Sequence, residues 1–479
     1  MEFRNFLESL PEVKNPIEKK VSFNTKLKWT LIILVSFFIL ANVPLYGVTQ
    51  VALERFKYLA IILGTDFGSI ISLGIGPIVT ASIILQLLVG AKILEIDMHS
   101  DDGKKYFMGL QKLLTFVFII FEALVYVLMK GISAAPGMAG IVIFQLCLGG
   151  LLILFMDEVV QKWGFGSGVS LFIAAGVGWR LFTALFQFIG AQGNFEAVGE
   201  VWVFVMSIIN PDPTRAMIAL LSIVLTGAIF LIIVWVQSLK VEIPLSFDRI
   251  RGYNIRWPLE FLYANVIPVI LVAALAANMQ LGASLLNNAA KPCFEIAMNN
   301  ATTSGACSGF AKFAYHFRFL GVFSNDGQPI SGFAAWIHAP QVVSLIIERS
   351  FRIVYLFQAI GHILFYIIFS IIFSFFWVNT SGMDAASQAK NIMQSGLNIP
   401  GFRKDERVLE SILNRYITPL TIMGGATVGI LASVADLLGT LIGGMAILLA
   451  VMILYQFYQN IAQQHAIDMH PALKGIFGV

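Results

Sequence analysis

Charge and cysteine are both scarce in this chain. Of its 479 residues, only 12% are Asp, Glu, Lys or Arg, against about 25% in an ordinary soluble domain. So few charges cannot cover a water-facing surface of this size. The net charge of +3 is too small to point to nucleic acid. Three cysteines exclude a disulfide scaffold and a Cys-rich metal centre. The six histidines are scattered and form no HExxH pair. No Ser/His or paired-Asp arrangement marks an enzyme. The stretch GFGSGVS is not followed by Lys-Ser/Thr, so it is no phosphate loop. No cofactor is implied.

Apolar residues make up 58% of the chain, with 40 Phe and 16 Met, and mean hydropathy is +0.81. Such content excludes disorder and leaves a polytopic membrane protein. The apolar runs are continuous rather than alternating, which selects helices over a barrel. At about 20 residues per crossing, ten spans are expected: Trp29–Tyr46, Ile70–Leu94, Phe107–Met129, Met138–Met156, Ser170–Gly190, Ala216–Gln237, Phe261–Gln280, Phe357–Val378, Ile417–Ala435 and Leu438–Tyr458. Residues 1–28 carry mixed charge and read as an N-terminal segment, not a cleavable signal.

With the N-terminus inside, twenty Lys and Arg fall in inner segments and nine in outer ones. This bias predicts cytosolic N- and C-termini. The long connection 191–215 divides the spans into halves, 29–190 and 216–458, and the tail is 459–479. Five is odd, so the halves are inverted relative to each other. Within the second half lie two long inner loops, 238–260 and 379–416, and an outer loop, 281–356. Both inner loops are basic, which suits an anionic partner or a solvated face.

Glu122 lies well inside the third span. An acid there is costly and marks a functional candidate or interhelical glue. Thr80, Gln86 and Asn265 are its candidate partners. It stands nearly alone, which argues against ion-coupled transport. Ile75 and Val79, and Val169 and Ile173, each share a helix face at i,i+4, as lipid-facing aliphatics also do. The outer stretch 50–67 contains an apolar run around Tyr58–Leu63 that is too short to span and ends at Gly64. It reads as a surface helix or as a short helix folded back into the bundle. Cys293 and Cys307 lie in the outer loop, 14 residues apart. Their setting permits a disulfide, with two free thiols as the alternative.

Ordered motifs then give a family. LPEVKNP, KLKWT, LGIGPIVTASIILQLLVG, DEVVQKWGFGSGVSLFIAAG, EIPLSFDRIRG, FWVNTSG, PGFRKDER and ADLLGTLIGG run in sequence over nearly the whole chain. In these the chain resembles the SecY family, the channel subunit of the Sec translocon, in its archaeal/eukaryotic form. The resemblance implies an all-α fold of ten helices in two pseudo-symmetric inverted halves around an hourglass pore, with a short plug helix. It implies a pore ring of Ile75, Val79, Val169, Ile173, Ile270 and Leu449. The plug falls within 53–67 and includes Leu53, Tyr58, Leu59, Ile61, Ile62, Leu63 and Gly64. A lateral gate lies between spans two/three and seven/eight, and Thr80, Gln86, Glu122 and Asn265 are its expected polar residues. Arg249, Arg251, Arg403 and Lys404 face a ribosome. The implied partners are SecE-like and Sec-beta-like small membrane subunits, a translating ribosome, a nascent polypeptide with a signal sequence, and the lipid bilayer. The implied location is the cell membrane of an archaeon.

Two departures stand out. Val266 occupies the place before Ile-Pro where the family commonly has Asn, with Asn265 one residue earlier, and the outer loop carries an insert around KPCFEIAMNNATTSGACSG. The competing readings are a ten-span secondary transporter, which needs a polar midplane site, and, third, a membrane enzyme.

The charge bias yields a direct check on topology. Tags at both ends should be protected from protease in sealed right-side-out vesicles, and cleavage of either tag there reverses the assigned orientation.

Overall fold

The computed structural model describes residues 7, 9–16, 21–51, 68–90, 93–94, 96, 100–129, 131–189, 194, 196–210, 212–247, 254–264, 267–299, 310–324, 329–394, 397–398 and 405–469. The first half contains helix α1 (Phe23–Ala41), strand β1 (Val48–Val51), α2 (Gly76–Gly90), α3 (Asp101–Leu128), β2 (Ile132–Ala134), α4 (Ala139–Trp163) and α5 (Gly168–Phe186). The connection carries α6 (Glu200–Ile209). The second half begins with α7 (Pro213–Ser238), β3 (Lys240–Phe247), β4 (Asn254–Glu260) and α8 (Ile267–Asn299). An outer group of short elements follows: α9 (Phe310–His316), β5 (Val322–Phe323), β6 (Pro329–Ser331), α10 (Phe333–Ile337) and α11 (Val342–Ile347). The chain closes with α12 (Ile353–Thr380), α13 (Ala385–Gln394), β7 (Leu397–Asn398), α14 (Glu406–Leu437) and α15 (Gly444–Met469).

Among the described residues, nine helices are long and apolar enough to cross a membrane. The tenth expected span, Ile70–Leu94, is corrected to the 15-residue helix α2. At 1.5 Å per residue it is about 22 Å long, short of a hydrocarbon core of about 30 Å. Turns replace its expected first part. Gly74 takes a left-handed φ of 55° and its amide donates to the Ile71 carbonyl at 2.8 Å. This irregular backbone sits wholly inside the protein, with Ile71, Ser72, Leu73 and Ile75 buried, as a membrane requires.

Two further boundaries move. The seventh span does not begin at Phe261 or end at Gln280, since α8 runs from Ile267 to Asn299. Beyond Gln280, Leu281 and Leu285 remain buried at i,i+4, so one apolar face carries the helix on into segment 281–356. The connection 191–215 is not plain coil but holds α6, packed on α7.

The two inner loops come together. Strands β3 and β4 form an antiparallel hairpin, and β7, from the other loop, adds to the β3 edge through Ser246–Asn398 and Phe247–Leu397. Behind the sheet, Ile243, Leu259, Ala389, Leu409 and Leu413 form a second, smaller apolar core. The Tyr263 hydroxyl donates to the Met383 carbonyl at 2.7 Å across it. The length of these loops is thus the length of a small folded unit.

At the same end of the first half, the N-terminal segment is fastened to α3 and α4. Lys162 bonds Glu12 and the Val13 carbonyl, and Glu158 accepts the Val13 amide at 3.0 Å while pairing with Lys112. The bond from Lys162 holds the Glu12 carboxyl below its usual pKa.

Helices α12 and α14 make the most extensive helix pairing, and small residues allow it. Gly425 lies against Ser370 and Ser374, and Gly429 against Tyr366 and Ile367. This is the close backbone approach that drives helix association where lipid offers no hydrophobic contrast. A Cβ at Gly429 would sit 2.7 Å from the Ile367 Cα and 2.8 Å from the Tyr366 carbonyl oxygen. Gly429→Ala should therefore cost about 1–3 kcal/mol by overpacking and lower the melting temperature in detergent. Gly140→Ala, where nothing lies within 4 Å, should not lower it.

Candidate functional site

The six expected ring residues come from four helical regions of both halves. Ile75 closes the buried turn before α2, and Val79 lies one turn further on. Val169 and Ile173 stand on the first turns of α5, Ile270 on the first turn of α8, and Leu449 on the second turn of α15. Pro77 and Pro268, each near a helix start, pre-set the backbone for the helices that carry Val79 and Ile270. All but Val169 are buried in one apolar cluster, and Val169 packs against it half-buried. A cavity of about 280 Å³ opens against Val79, Val169 and Ile270, and its wall includes Gln86, Gln111 and Gln456. The cavity wall joins aliphatic side chains of both halves to several amides and to the Asp157 carboxylate. An aliphatic constriction, where one forms, resists water and ions by dewetting.

A chain of three polar side chains crosses from one half to the other. Asn278 on α8 donates through Nδ2 to Thr80 Oγ1 at 2.9 Å, and Thr80 on α2 donates to Glu122 Oε1 on α3 at 3.2 Å. The single hydroxyl both accepts and donates, so it couples an amide of the second half to a carboxylate of the first. Thr80 and Glu122 were expected together, but Asn278 was missed. A lone Asn within an apolar run carries no signal of its partner, and only its spacing of eight from Ile270, on the same helix face, could have suggested it. Gln86 lies elsewhere. It is buried with Oε1 unpaired and lines the cavity.

The other expected sites fall outside the described residues. These are the plug residues Leu53, Tyr58, Leu59, Ile61, Ile62, Leu63 and Gly64, the gate residue Asn265 with its neighbour Val266, the basic residues Arg249, Arg251, Arg403 and Lys404, and Cys307. Cys293 lies on α8, and its side chain is outside the description, as is any pairing with Cys307. The described strand ends at Phe247 and Asn398 are nevertheless neighbours, since β3 pairs with β7. The two expected basic stretches therefore leave the same sheet.

Among the described residues, nine long apolar helices and the short α2, a shared aliphatic core and a polar chain between the halves define a channel-type polytopic membrane protein. The comparisons with known proteins are specific. The SecY family model matches residues 69–458. A protein translocase subunit SecY from Methanothermobacter thermautotrophicus is 41% identical, covering 99% of this chain and 98% of the relative. One from Pyrococcus furiosus is 36% identical over 98% and 97%. Among solved structures, a protein-conducting channel superposes with a TM-score of 0.78 at 35% identity over 98% of each chain. Sec61 from a canine ribosome-channel complex of the endoplasmic reticulum gives 0.75 at 34% identity, again over 98% of each. The chain belongs to the SecY family.

The inter-half polar chain can be tested by distance. Cysteines at positions 80 and 278, on an otherwise Cys-free chain, should join through a short thiol cross-linker when no translocating chain is present. The link should block transport. Absence of the link in resting protein overturns the Asn278–Thr80 contact.

Proposed function

We propose that this chain is the channel subunit of a protein translocase, passing secretory polypeptides across a membrane and releasing apolar segments sideways into lipid. The observation that carries the reading is that Val79, Val169 and Ile270, aliphatic side chains of both halves, line one cavity beside the apolar core that also holds Ile75, Ile173 and Leu449. A polypeptide carries every kind of side chain, so its conduit cannot use a charged filter. A collar of flexible aliphatics adapts to any cargo and still excludes ions. Ile75, Val79, Val169, Ile173, Ile270 and Leu449 form this collar. The plug lies within 53–67 and seals the resting channel.

Thr80, Glu122 and Asn278 close the lateral gate. An arriving signal sequence brings an apolar stretch of about 7–15 residues, whose burial in lipid at about 25 cal/mol per Å² favours the open gate. Arg249, Arg251, Arg403 and Lys404 contact a ribosome, and the pairing of β3 with β7 supports their acting as one basic surface. The kinship with ribosome-bound channel complexes supports the ribosome and small one-span subunits as partners. The charge bias supports cytosolic termini, and kinship with archaeal relatives supports an archaeal plasma membrane as the channel's location. The transporter reading requires a polar midplane site, whereas the described centre is aliphatic.

Replacing two or more collar residues with Ser or Asn should raise resting ion conductance in planar bilayers and relax the requirement for a strong signal sequence. Val35→Ser on the lipid-exposed face of α1 serves as the control. Collar variants that conduct no more than wild type return the transporter reading to first place.

A further inference from the structure

Two of the helices that carry collar residues begin against a buried aspartate of the preceding span. Asp157 on α4 accepts the Val169 amide through Oδ1 at 2.9 Å and also takes the Gly168 amide. Asp436 on α14 accepts the Gly444 amide through Oδ1 at 2.6 Å and the Met445 amide at 3.5 Å. The register is the same in both. The carboxylate holds the first two amides of the helix, Gly168 and Val169 or Gly444 and Met445, and a collar residue follows the second amide by four, Ile173 or Leu449. In both, the leading glycine lets the helix start press on the aspartate's turn. A Cβ would fall 2.6 Å from the Asp157 Cα at Gly168, and 2.1 Å from the Ala435 Cβ at Gly444. Five spans separate the two turns, so they lie on opposite faces of the membrane.

We infer that Asp157 and Asp436 are a pseudo-symmetric pair of positioning residues, each fixing the height and rotation of one collar helix from its own side of the membrane. The inference rests on the collar reading above. Its physical basis is the helix start. The first amides of a helix have no partner within it, and in an apolar interior they need one. A carboxylate accepts two of them and is favoured there by the helix dipole. Because the side chain is short and its own helix is packed, the accepted amides are held at one place. Four residues on, the aliphatic side chain can point in one direction only.

The pair differs in what the second oxygen meets. Asp157 Oδ2 accepts Gln161 Nε2 from its own helix at 2.8 Å. Asp436 Oδ2 instead faces His362 Nε2 on α12 at 3.6 Å. His362 Nδ1 donates to the Ile337 carbonyl at 2.5 Å. The second half thus sets its aspartate beside α12, with neither facing atom hydrogen-bonded, whereas the first half pairs its aspartate within one helical turn.

The test uses the whole chain with its small membrane subunits in planar bilayers. Asp157→Ala and Asp436→Ala should each raise resting ion conductance several-fold, and Asp157→Asn and Asp436→Asn, which keep an acceptor oxygen, should recover most of the seal. Ile173→Ser is the reference. If it fails to raise conductance, the collar reading fails. If it succeeds while both Ala variants assemble normally and conduct like wild type, the positioning role is overturned. Should the Ala variants not assemble, hydrogen exchange on the unaltered complex decides. The amides of Gly168, Val169, Gly444 and Met445 should exchange slowly, and exchange as fast as in the exposed turn at Gly137 overturns the inference.

Discussion

A backbone amide or carbonyl in hydrocarbon must find its partner inside the protein, because no water is there to serve. For helices that run straight through, the requirement is met by the helix itself. For a channel wall it is not, because the pore needs helices that start or bend near its narrowest point. Each irregularity in this fold answers that demand locally. The turn before α2 closes on its own carbonyls and is wrapped by buried aliphatics. The starts of α5 and α15 are met by carboxylates from the span before. The aliphatic centre can be wholly apolar only because its polar obligations are discharged a turn away.

The same constraint explains where polarity is allowed. Thr80, Glu122 and Asn278 satisfy one another across a seam between halves. Such a contact is stable as a closed chain and costly when one member is removed, since a buried unpaired group loses its hydration without compensation. A seam held by three side chains differs in kind from the pairing of α12 with α14, where glycine brings backbone against backbone. The first rests on two side-chain hydrogen bonds, whereas the second rests on close backbone packing along two helices.

Much of this was legible in the sequence. Long apolar runs located nine spans, because span length is set by bilayer thickness and leaves little freedom. Thr80 and Glu122 were legible as polar groups in apolar runs. Less was visible where the determinant is a contact between distant residues. Nothing in KVEIPLSF announces that its edge will take Leu397 and Asn398 as a third strand. Asn278 looked like an ordinary residue in an alanine-rich stretch. The inverted repeat was inferred by counting alone, because its clearest trace lies in cap chemistry. Asp157 to Gly168 and Asp436 to Gly444 differ in loop length, so no alignment by spacing joins them, yet the amides they hold match in register. Ile70–Leu94 was read as a full span because Ile70, Ile71 and Leu73 are apolar. Ile71 and Leu73 are buried in protein, and hydropathy cannot tell that from lipid.

The three-stranded sheet at one end of the second half has a mechanical consequence. Seven residue pairs join β3 to β4, giving an arm of about 23 Å. Its tip end is stitched to β7, and its root is seated on the small core shared with α13 and α14. A load applied at the tip is therefore not absorbed by a slack loop. It arrives as torque on α14, and through the α12–α14 packing on the whole second half. A force on the hairpin would thus act on the second half as one body rather than on a loop.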